Sequence, residues 1–359
     1  MKPRKSPLLA VSIEELERTT DAPASAPVSD AAGKRKAIPT TSRHEQLPQA
    51  APTGKFDPSL NSRAGRLSLV RGQQMQLADL AQELDDAGGD VQRKAAIFRG
   101  LNDLQAEVQH LQRMLTEDFV PQHSPSQLIS PQDLLVSRLF NVRNKTVQRE
   151  ALVKFDLVRS GSEVVSYSGP ELRQPDGLTF MALVNMTRDF RVGTAVAFEP
   201  SVLCNALVGY YDTRSRMQLK ESIKRLMQSV ITFPDFSVQL AQKFLHPARG
   251  MWSVALDPQI VRLFGASNYI WLDLQLRREL TEGLATWLYG YIRGQSYLNP
   301  TKLELLHEAS GSDAKSIAAF QRSLYPALHE LTERGVLEPG ARVQDGVLHW
   351  RRTPRAQRV

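Results

Sequence analysis

Hydrophobic residues in the stretch 213–230 recur at the spacing of one face of an α-helix. The apolar stripe consists of Leu219, Ile223, Leu226 and Val230. Cations run beside this stripe at a spacing of four residues: Arg216, Lys220 and Lys224. The pattern predicts a helix that buries one edge and presents a row of positive charge next to it. Such a helix is either a solvated basic surface helix or one that lies against the phosphates and base edges of a nucleic acid.

Two leucine-rich helical patterns lie upstream, in residues 67–119. One helical face of the first carries Val70, Leu77, Leu80 and Leu84. In the second, apolar residues alternate at spacings of four and three: Ile97, Leu101, Leu104, Val108, Leu111 and Leu115. The turn DDAGGD separates the two patterns. Three arrangements fit: a helical hairpin, a short coiled coil with a second copy of the chain, or packing against the rest of the protein.

Residues 134–258 follow the element order of a winged helix-turn-helix. ALVKFDLV and EVVSYS, separated by RSGS, predict a β-hairpin. DGLTFMALVNMTRDF and FEPSVLCNALV predict two helices ahead of the basic one. SVITF and MWSVALD predict two strands that form a hairpin as the last elements of this order. Lys243, His246 and Arg249 lie in the loop between them.

The same order recurs in residues 259–350. RRELTEGLATWLYGYIRG and NPTKLELLHEAS predict helices, and SDAKSIAAFQRSLYPALHELTERG predicts a third, with Ser312 as N-cap and Gly335 beyond its end. Pro326 is expected to kink this helix or end its first part. Lys315 and Arg322, seven residues apart, are expected to share one of its faces. VLEP and VLHW predict a closing hairpin.

These patterns predict an α+β protein with tandem winged-helix domains. The expected segments are a disordered region 1–66, a helical hairpin or coiled-coil segment 67–119, a linker 120–133, winged-helix domain 1 over 134–258, winged-helix domain 2 over 259–350 and a basic tail 351–359. Proline, Ala, Ser and Thr dominate the first segment, which has too few apolar residues to offset its chain entropy. Three prolines, at 121, 125 and 131, suggest the linker.

Composition favours a polyanionic partner inside the cell. The chain has 359 residues, a net charge of +7 and a sequence pI near 9.5, and its last nine residues, RRTPRAQRV, contain no acid. The single cysteine, Cys204, excludes an intramolecular disulfide and fits a reducing cytoplasm. No apolar run is long enough to cross a bilayer, and the N-terminus lacks the pattern of a secretory signal. We therefore expect a cytoplasmic protein without a membrane partner.

The sequence offers no constellation that points to catalysis. A P-loop requires Gly-Lys-Ser/Thr, and neither Gly-Lys pair fits, because Gly33-Lys34 is followed by arginine and Gly54-Lys55 by phenylalanine. The seven histidines are scattered, with no zinc-ligand spacing to the cysteine. We expect no catalytic residues, no metal site, no cofactor and no enzymatic activity.

Many short segments of 134–350 resemble the TrfA-type family of plasmid replication initiators. The matching segments are RNK (143–145), REAL (149–152), YSGPELR (167–173), VGTAVAF (192–198), KESIKRL (220–226), ITF (231–233), IVRLFG (260–265) and GSD (311–313). The resemblance implies tandem winged-helix domains that bind repeated sites (iterons) in the double-stranded DNA of a plasmid origin and help to open the adjacent duplex. It also implies recruitment of host replication proteins, namely the helicase and its loader, the host initiator and the sliding clamp, and an equilibrium between monomer and dimer.

The resemblance also assigns DNA-binding residues. In domain 1 they are Arg143, Lys145, Arg214, Arg216, Lys220 and Lys224, and in domain 2 they are Lys315, Ser316 and Arg322. Because arginine can bind guanine in a bidentate manner, Arg214, Arg216 and Arg322 are expected to read bases while the lysines contact phosphate. The segment nearest to a clamp-binding motif is Gln76–Leu80, which lacks the aromatic residue of that motif.

Other functions fit parts of the pattern. A winged-helix transcription regulator shares the tandem DNA-binding arrangement, and direct repeats beside an AT-rich tract would distinguish an initiator from it. A dimeric adaptor that binds protein would show weak DNA affinity. A DNA-processing enzyme is the least favoured class, because it would need a metal or nucleophile site.

Overall fold

The computed structural model describes residues 51–52, 62–88, 90–160 and 163–354. Most of the region expected to be disordered therefore lies outside the described residues, as do residues 355–359 of the basic tail. The boundary expected at residue 66 is wrong, because helix α1 begins at Arg63, where the Ser62 hydroxyl caps it by accepting from the amide of Gly65. Ahead of it, strand β1 (Ala51–Pro52) pairs with a strand of the main body.

Residues 63–117 form a helical hairpin, one of the three arrangements that the leucine pattern allows. Its helices are α1 (Arg63–Asp86) and α2 (Val91–Glu117). Val70, Val108, Leu111, Leu115 and Phe119 form a small separate core at the base of the hairpin. Toward the tip the facing leucines are only half-buried, because two helices alone cannot enclose an apolar seam.

At the base of the hairpin, Arg66 joins α1 to the end of α2, and Arg63 joins α1 to the main body by donating from its Nε to the carbonyl of Arg188 at 3.4 Å. The buried Arg66 donates to the Asp118 carboxylate at 2.7 Å and to the carbonyl of Met114 at 2.9 Å. Arg63 donates to the carbonyl of Val120 at 2.5 Å, and burial lowers its pKa to about 10. Both guanidinium groups lie 5.0 Å from the centroid of the Phe119 ring. The hairpin therefore also packs against the body, so two of the three arrangements occur together.

The main body is a mixed helical and β fold built in two parts. The first contains β2 (Gln127–Pro131), α3 (Gln132–Val136), β3 (Phe140–Asn141), β4 (Ala151–Ser160), β5 (Glu163–Pro170), β6 (Leu172–Arg173), α4 (Gln174–Thr187), β7 (Val196–Phe198), α5 (Pro200–Val208), α6 (Thr213–Met227), β8 (Val230–Thr232), β9 (Ser237–Gln239), β10 (Lys243–Leu245), β11 (Trp252–Ala255) and a 3-10 helix (Pro258–Ser267). The second contains β12 (Tyr269–Asp273), α7 (Leu274–Glu279), α8 (Leu284–Gly294), β13 (Thr301–Lys302), α9 (Leu303–Ser310), α10 (Ile317–Glu333), β14 (Arg342–Gln344) and β15 (Val347–His349). None of the described helices is both long and apolar enough to cross a membrane.

One arrangement occurs twice in this body. In residues 174–255, which we call module 1, the order is α4, β7, α5, α6, the strands β8 and β9, which belong to another sheet, and the hairpin β10–β11. In residues 284–349, module 2, it is α8, β13, α9, α10 and the hairpin β14–β15. In both, the strand that follows the first helix pairs antiparallel with the last strand of the hairpin, giving the strand orders β7-β11-β10 and β13-β15-β14. The repeat of element order expected from the sequence is therefore present in the sheet topology as well.

Several strand partners differ from the expectation. The strand in SVITF, β8, does not pair with β11 in MWSVALD; it pairs with β5 and β9 in the sheet β4-β5-β8-β9. The hairpin of module 1 is instead β10–β11. In module 2 the hairpin strands are β14 and β15, and VLEP contributes only an isolated bridge between Leu337 and Arg352. Short apolar runs indicate a strand but do not specify its partner.

The helices of module 2 begin and end differently from the expectation. The long helix expected over 277–294 is broken into α7 and α8 at residues 280–283. Helix α10 is capped by Ser316 and not by Ser312, because the Ser316 hydroxyl accepts from the amide of Ala319 at 3.2 Å. The helix continues through Pro326 to Glu333, so the proline does not end it. Gly335 follows the helix with φ +69°, as its predicted position beyond the end requires.

The segment expected to be a linker, 120–133, is part of the core. Residues 128–131 of β2 are buried, and β2 pairs antiparallel with β12 over five residue pairs from Gln127↔Asp273 to Pro131↔Tyr269. Helix α3 then packs on α8, where the Leu135 side chain would lie 3.2 Å from a Cβ added at Gly290. One hydrophobic core consequently extends through both modules.

The described part of the expected basic tail is also ordered. Arg352 donates to the carbonyls of Gln295 at 3.0 Å and Ser296 at 3.1 Å, beyond the C-terminal end of α8. It also donates to the carbonyl of Ile292 at 3.4 Å, one of the carbonyls in the last turn of α8 that the helix leaves without an internal donor. Arg352 therefore belongs to module 2 and not to a free electrostatic arm.

Candidate nucleic-acid interface

Helix α6 of module 1 has a buried side and an exposed side, as its sequence pattern predicts. The buried residues are Ser215, Leu219, Ser222, Ile223 and Leu226. The residues that face solvent on the opposite side are Arg214, Met217, Gln218 and Glu221, with Lys220 and Lys224 half-buried at its margin. The Asp212 carboxylate caps the helix by accepting from the amide of Ser215 at 2.6 Å, and the bonds from Ser215 lower the pKa of Asp212. The exposed side is accessible along the whole helix.

The basic residue Arg225 points away from this surface and fixes the helix to α4. Its Nε and Nη2 atoms donate to Oδ1 of Asp176 at 3.1 and 2.7 Å. Asp176 is fully buried and accepts two further side-chain bonds, from Ser222 at 2.7 Å and from Arg149 at 2.7 Å. A buried carboxylate with these donors fixes the rotation of α6 about its own axis, and so determines which side of α6 remains exposed.

Arg216 connects α6 to the loop between β10 and β11, residues 246–251. Its Nη2 donates to the carbonyl of Ala248 at 2.6 Å, and its guanidinium carbon lies 5.3 Å from the centroid of the Trp252 ring. The Trp252 indole donates to the carbonyl of Pro247 at 3.3 Å, which is a second bond that fixes the same loop. Arg216 therefore holds the β10–β11 loop beside α6 in this structure, instead of extending into solvent as a base-reading residue would.

The β10–β11 hairpin places a second basic and apolar edge beside α6. Its exposed residues are Lys243, Leu245, Arg249 and Met251. Beneath them Phe244 packs edge-on against Trp252, with ring centroids 5.4 Å apart. The sequence identified the cations of this loop but gave no reason to place the loop next to α6.

Lys224 is engaged within its own helix. It forms an ion pair of 2.8 Å with Glu221, which lowers the pKa of that carboxyl. Lys220 is half-buried at the margin of the exposed side, and Arg214 is exposed in the first turn of α6. Among the described residues, neither side chain makes a hydrogen bond or a close ion pair; Arg214 acts at longer range on Asp212, and Lys220 on Glu221.

The residues assigned in module 2 do not all lie on one helix face. Lys315 and Ser316 precede the first turn of α10, so Lys315 does not share a face of the helix with Arg322. Ser316 is the N-cap, and its hydroxyl is already engaged with the helix amide. Arg322 is exposed on the outer side of α10, where Tyr325 is also 45% exposed and accepts from the Gln321 amide at 3.0 Å.

Arg143 and Lys145 lie in a loop that reaches module 2. Arg143 donates to Glu150 at 2.7 Å, which raises its pKa, and lies 3.6 Å from Glu171. Lys145 is exposed. The same loop bonds to the end of α9, where the amide of Val142 donates to the carbonyl of Ser310 at 3.0 Å, and to the turn before α10, where the amide of Asn144 donates to the Asp313 carboxylate at 3.4 Å. Arg143 is thus held by carboxylates, whereas Lys145 is presented to solvent next to that turn.

The segment Gln76–Leu80 lies in the middle of α1, where Leu77 and Leu80 are half-buried against α2. A peptide that binds through extended side-chain anchors would have to leave this helix first. Elsewhere, within the described ranges, no group of three or more His, Cys, Asp and Glu side chains is arranged to hold a metal ion.

Comparisons with known proteins agree with the resemblance noted in the sequence. A family model described as TrfA protein matches residues 83–352. The chain is 26% identical over 286 residues to the plasmid replication initiator protein TrfA of Escherichia coli, an alignment that covers 76% of this chain and 72% of that protein. Among solved structures, domains 2 and 3 of RctB give a TM-score of 0.46 at 12% identity, covering 63% of this chain and 99% of that one. The range matched by the family model begins within α1 and includes both modules.

Proposed function

The chain belongs to the TrfA family of plasmid replication initiators, and from that premise we propose that it binds repeated sites, or iterons, in the double-stranded DNA of a plasmid origin. We further propose that both modules are winged-helix domains, with α6 and α10 as their recognition helices. In this proposal the bound chain promotes opening of the adjacent duplex. It recruits host replication proteins, namely the helicase and its loader, the host initiator and the sliding clamp. It acts in the cytoplasm without an enzymatic activity of its own.

The observation that carries the proposal is the shared topology of the modules around an exposed helix. A helix-turn-helix places the N-terminal residues of its second helix against base edges in the major groove. Helix α6 has a capped N-terminus, an exposed side and a hairpin held beside it by Arg216. Helix α10 stands in the same position within module 2. Two such helices in one chain suit a long asymmetric site, which is what a directly repeated element offers.

Charge supports a DNA partner for these surfaces. The cations that α6 and the β10–β11 hairpin offer are Arg214, Lys220, Lys224, Lys243 and Arg249. Each cation that neutralises a phosphate adds about −0.9 to the slope of log affinity against log salt concentration. If all of these residues contact phosphate, module 1 alone contributes a slope of about −4.5.

The proposal is tested with the full chain and a random pool of duplexes. The chain is used to enrich the sequence that it prefers, and affinities for the enriched and for a scrambled duplex are compared over a range of salt concentrations. We expect a preference of about 10³-fold or more for the enriched duplex, and a match between that sequence and direct repeats beside the gene. Equal, weak binding of both duplexes would contradict the proposal.

A matched pair of variants ties the binding to α6. Lys220→Ala should make the slope of log affinity against log salt concentration less steep by about 0.9, the contribution of one phosphate contact. Lys94→Ala removes an exposed lysine from α2, far from the proposed surface, and should leave the slope unchanged. If the two variants behaved alike, the DNA would not lie on α6.

A further inference from the structure

Met217 lies at the centre of the exposed side of α6. The buried residues Leu219, Ile223 and Leu226 occupy the opposite side of the helix. At about 100° per residue, Met217 is close to 180° from the middle of the full buried side, which also includes Ser215 and Ser222. Its side chain is 60% exposed. An apolar side chain therefore stands where a solvated basic helix would be expected to carry a charge.

The neighbours of Met217 are hydrophilic. Arg214 and Lys220 lie three residues from it and Glu221 lies four residues away, which makes them its neighbours on the helix surface. Met217 thus does not belong to an apolar stripe that another helix could cover. It also lies in the first half of α6, the half that a recognition helix brings to the base edges.

We propose that Met217 reads the C5-methyl group of thymine in the major groove. Thymine is the only one of the four standard bases that presents an apolar group there, so an apolar contact can distinguish it. The thioether is flexible and polarizable, which lets it settle against a methyl group without a fixed geometry. This inference rests on the proposed function, and it identifies the chemical group that the centre of α6 would recognise.

The test replaces thymine by uracil in the enriched duplex. Uracil keeps every hydrogen-bonding group of thymine and lacks only the methyl group. Removing one methyl group from a contact corresponds to about a fourfold loss of affinity, if a buried carbon is worth about 0.8 kcal/mol. We expect the full chain to bind the uracil duplex at least that much more weakly, with the loss traced to one or two positions by single replacements.

Variants identify the residue that reads the methyl group. Met217→Ala should bind the thymine duplex more weakly and no longer distinguish it from the uracil duplex. Met217→Leu, which keeps apolar volume, should retain the distinction. Met75→Ala removes a methionine that is 70% exposed on α1 and should behave as the unaltered chain.

Two results would overturn the inference while leaving the proposed function intact: equal binding of thymine and uracil duplexes by the unaltered chain, or an undiminished preference for thymine in Met217→Ala. Loss of the preference in Met251→Ala and not in Met217→Ala would assign the contact to the β10–β11 loop instead. If no duplex is enriched at all, the proposed function fails, and this inference fails with it.

Discussion

The Nη2 atom of Arg216 donates to the carbonyl oxygen of Ala248 at 2.6 Å, which joins helix α6 to the β10–β11 loop. The guanidinium also lies over the Trp252 ring, so the same side chain packs against the hairpin and bonds to its loop. Two parts of the proposed DNA surface are therefore held in one arrangement by a single residue. From this contact we propose that Arg216 positions the loop, in place of the base-reading role that the resemblance implies for it.

Arg216→Ala should weaken binding of specific and scrambled duplexes by similar factors. The variant releases the 246–251 loop but removes no contact to a base. Affinity measurements on both duplexes give the ratio, and hydrogen exchange of the loop amides reports its release. A selective loss of the specific duplex would restore the base-reading role. Arg214→Ala serves as the comparison, because an exposed arginine that reads guanine should lower the specific affinity preferentially.

Asp176→Ala should destabilise the protein strongly. The variant leaves Arg149, Arg225 and Ser222 without the buried carboxylate that they share. Removing one partner of a buried ion pair lowers the free energy of unfolding by about 3–5 kcal/mol. We expect a loss at the lower end of this range, because both guanidinium groups retain partial exposure. The free energy of unfolding in urea measures the effect. Glu221→Ala, which breaks the exposed pair with Lys224, should cost about 1 kcal/mol or less.

Ser316→Ala should lower the free energy of unfolding by about 1 kcal/mol, the usual cost of losing an N-cap. Ser312→Ala should cost clearly less, because Ser312 lies outside the helix and accepts only a 3.3 Å bond from the amide of Ala314. Thermal or denaturant unfolding of both variants compares them directly. A larger effect at Ser312 would return the helix start to the position that the sequence suggests.

Glu171 should make stability depend on acid pH. Burial alone would raise the pKa of Glu171, but hydrogen bonds from Arg173 and Asn141 outweigh it and hold the pKa below its ordinary value of 4.5. Because the folded pKa is the lower one, the carboxylate stabilises the fold above pH 4.5, and this stability is lost as the pH falls through the folded pKa. Urea midpoints between about pH 3 and 6 should fall less steeply in Glu171→Gln than in the unaltered chain. The exposed Glu107→Gln should retain the original slope.

The parts of the fold that the sequence predicts correctly depend on local periodicity. Leu219, Ile223 and Leu226 define the buried side of α6 from their spacing alone, and Gly335 indicates the end of α10. The pairing of β2 with β12 joins residues more than a hundred positions apart, and the prolines at 121, 125 and 131 suggested a linker there. Burial of that strand depends on what packs over it, which short-range patterns do not contain.

The candidate site was predictable in outline and less so in its individual roles. A ladder of cations at a spacing of four predicts a basic helix, but it does not say which cations are already bound within the protein. Arg225 is held by Asp176, forty-nine positions away in sequence, and Arg216 by a loop carbonyl. Met217 carries no charge, so a pattern of cations does not indicate it. The sequence nevertheless contains a signal for Met217, because it is an apolar residue on the side of the helix opposite the apolar stripe.

The β2–β12 sheet packs against α4 of module 1 and against α8 of module 2, which makes the two modules one body. If α6 and α10 both read DNA as proposed, their fixed separation makes the chain sensitive to the length of its site as well as to the base sequence. One inserted base pair would rotate half of the site by about 35° relative to the other, since a turn of DNA takes about 10–10.5 base pairs. Among related plasmids we therefore expect repeats that diverge by substitution and keep a constant internal length.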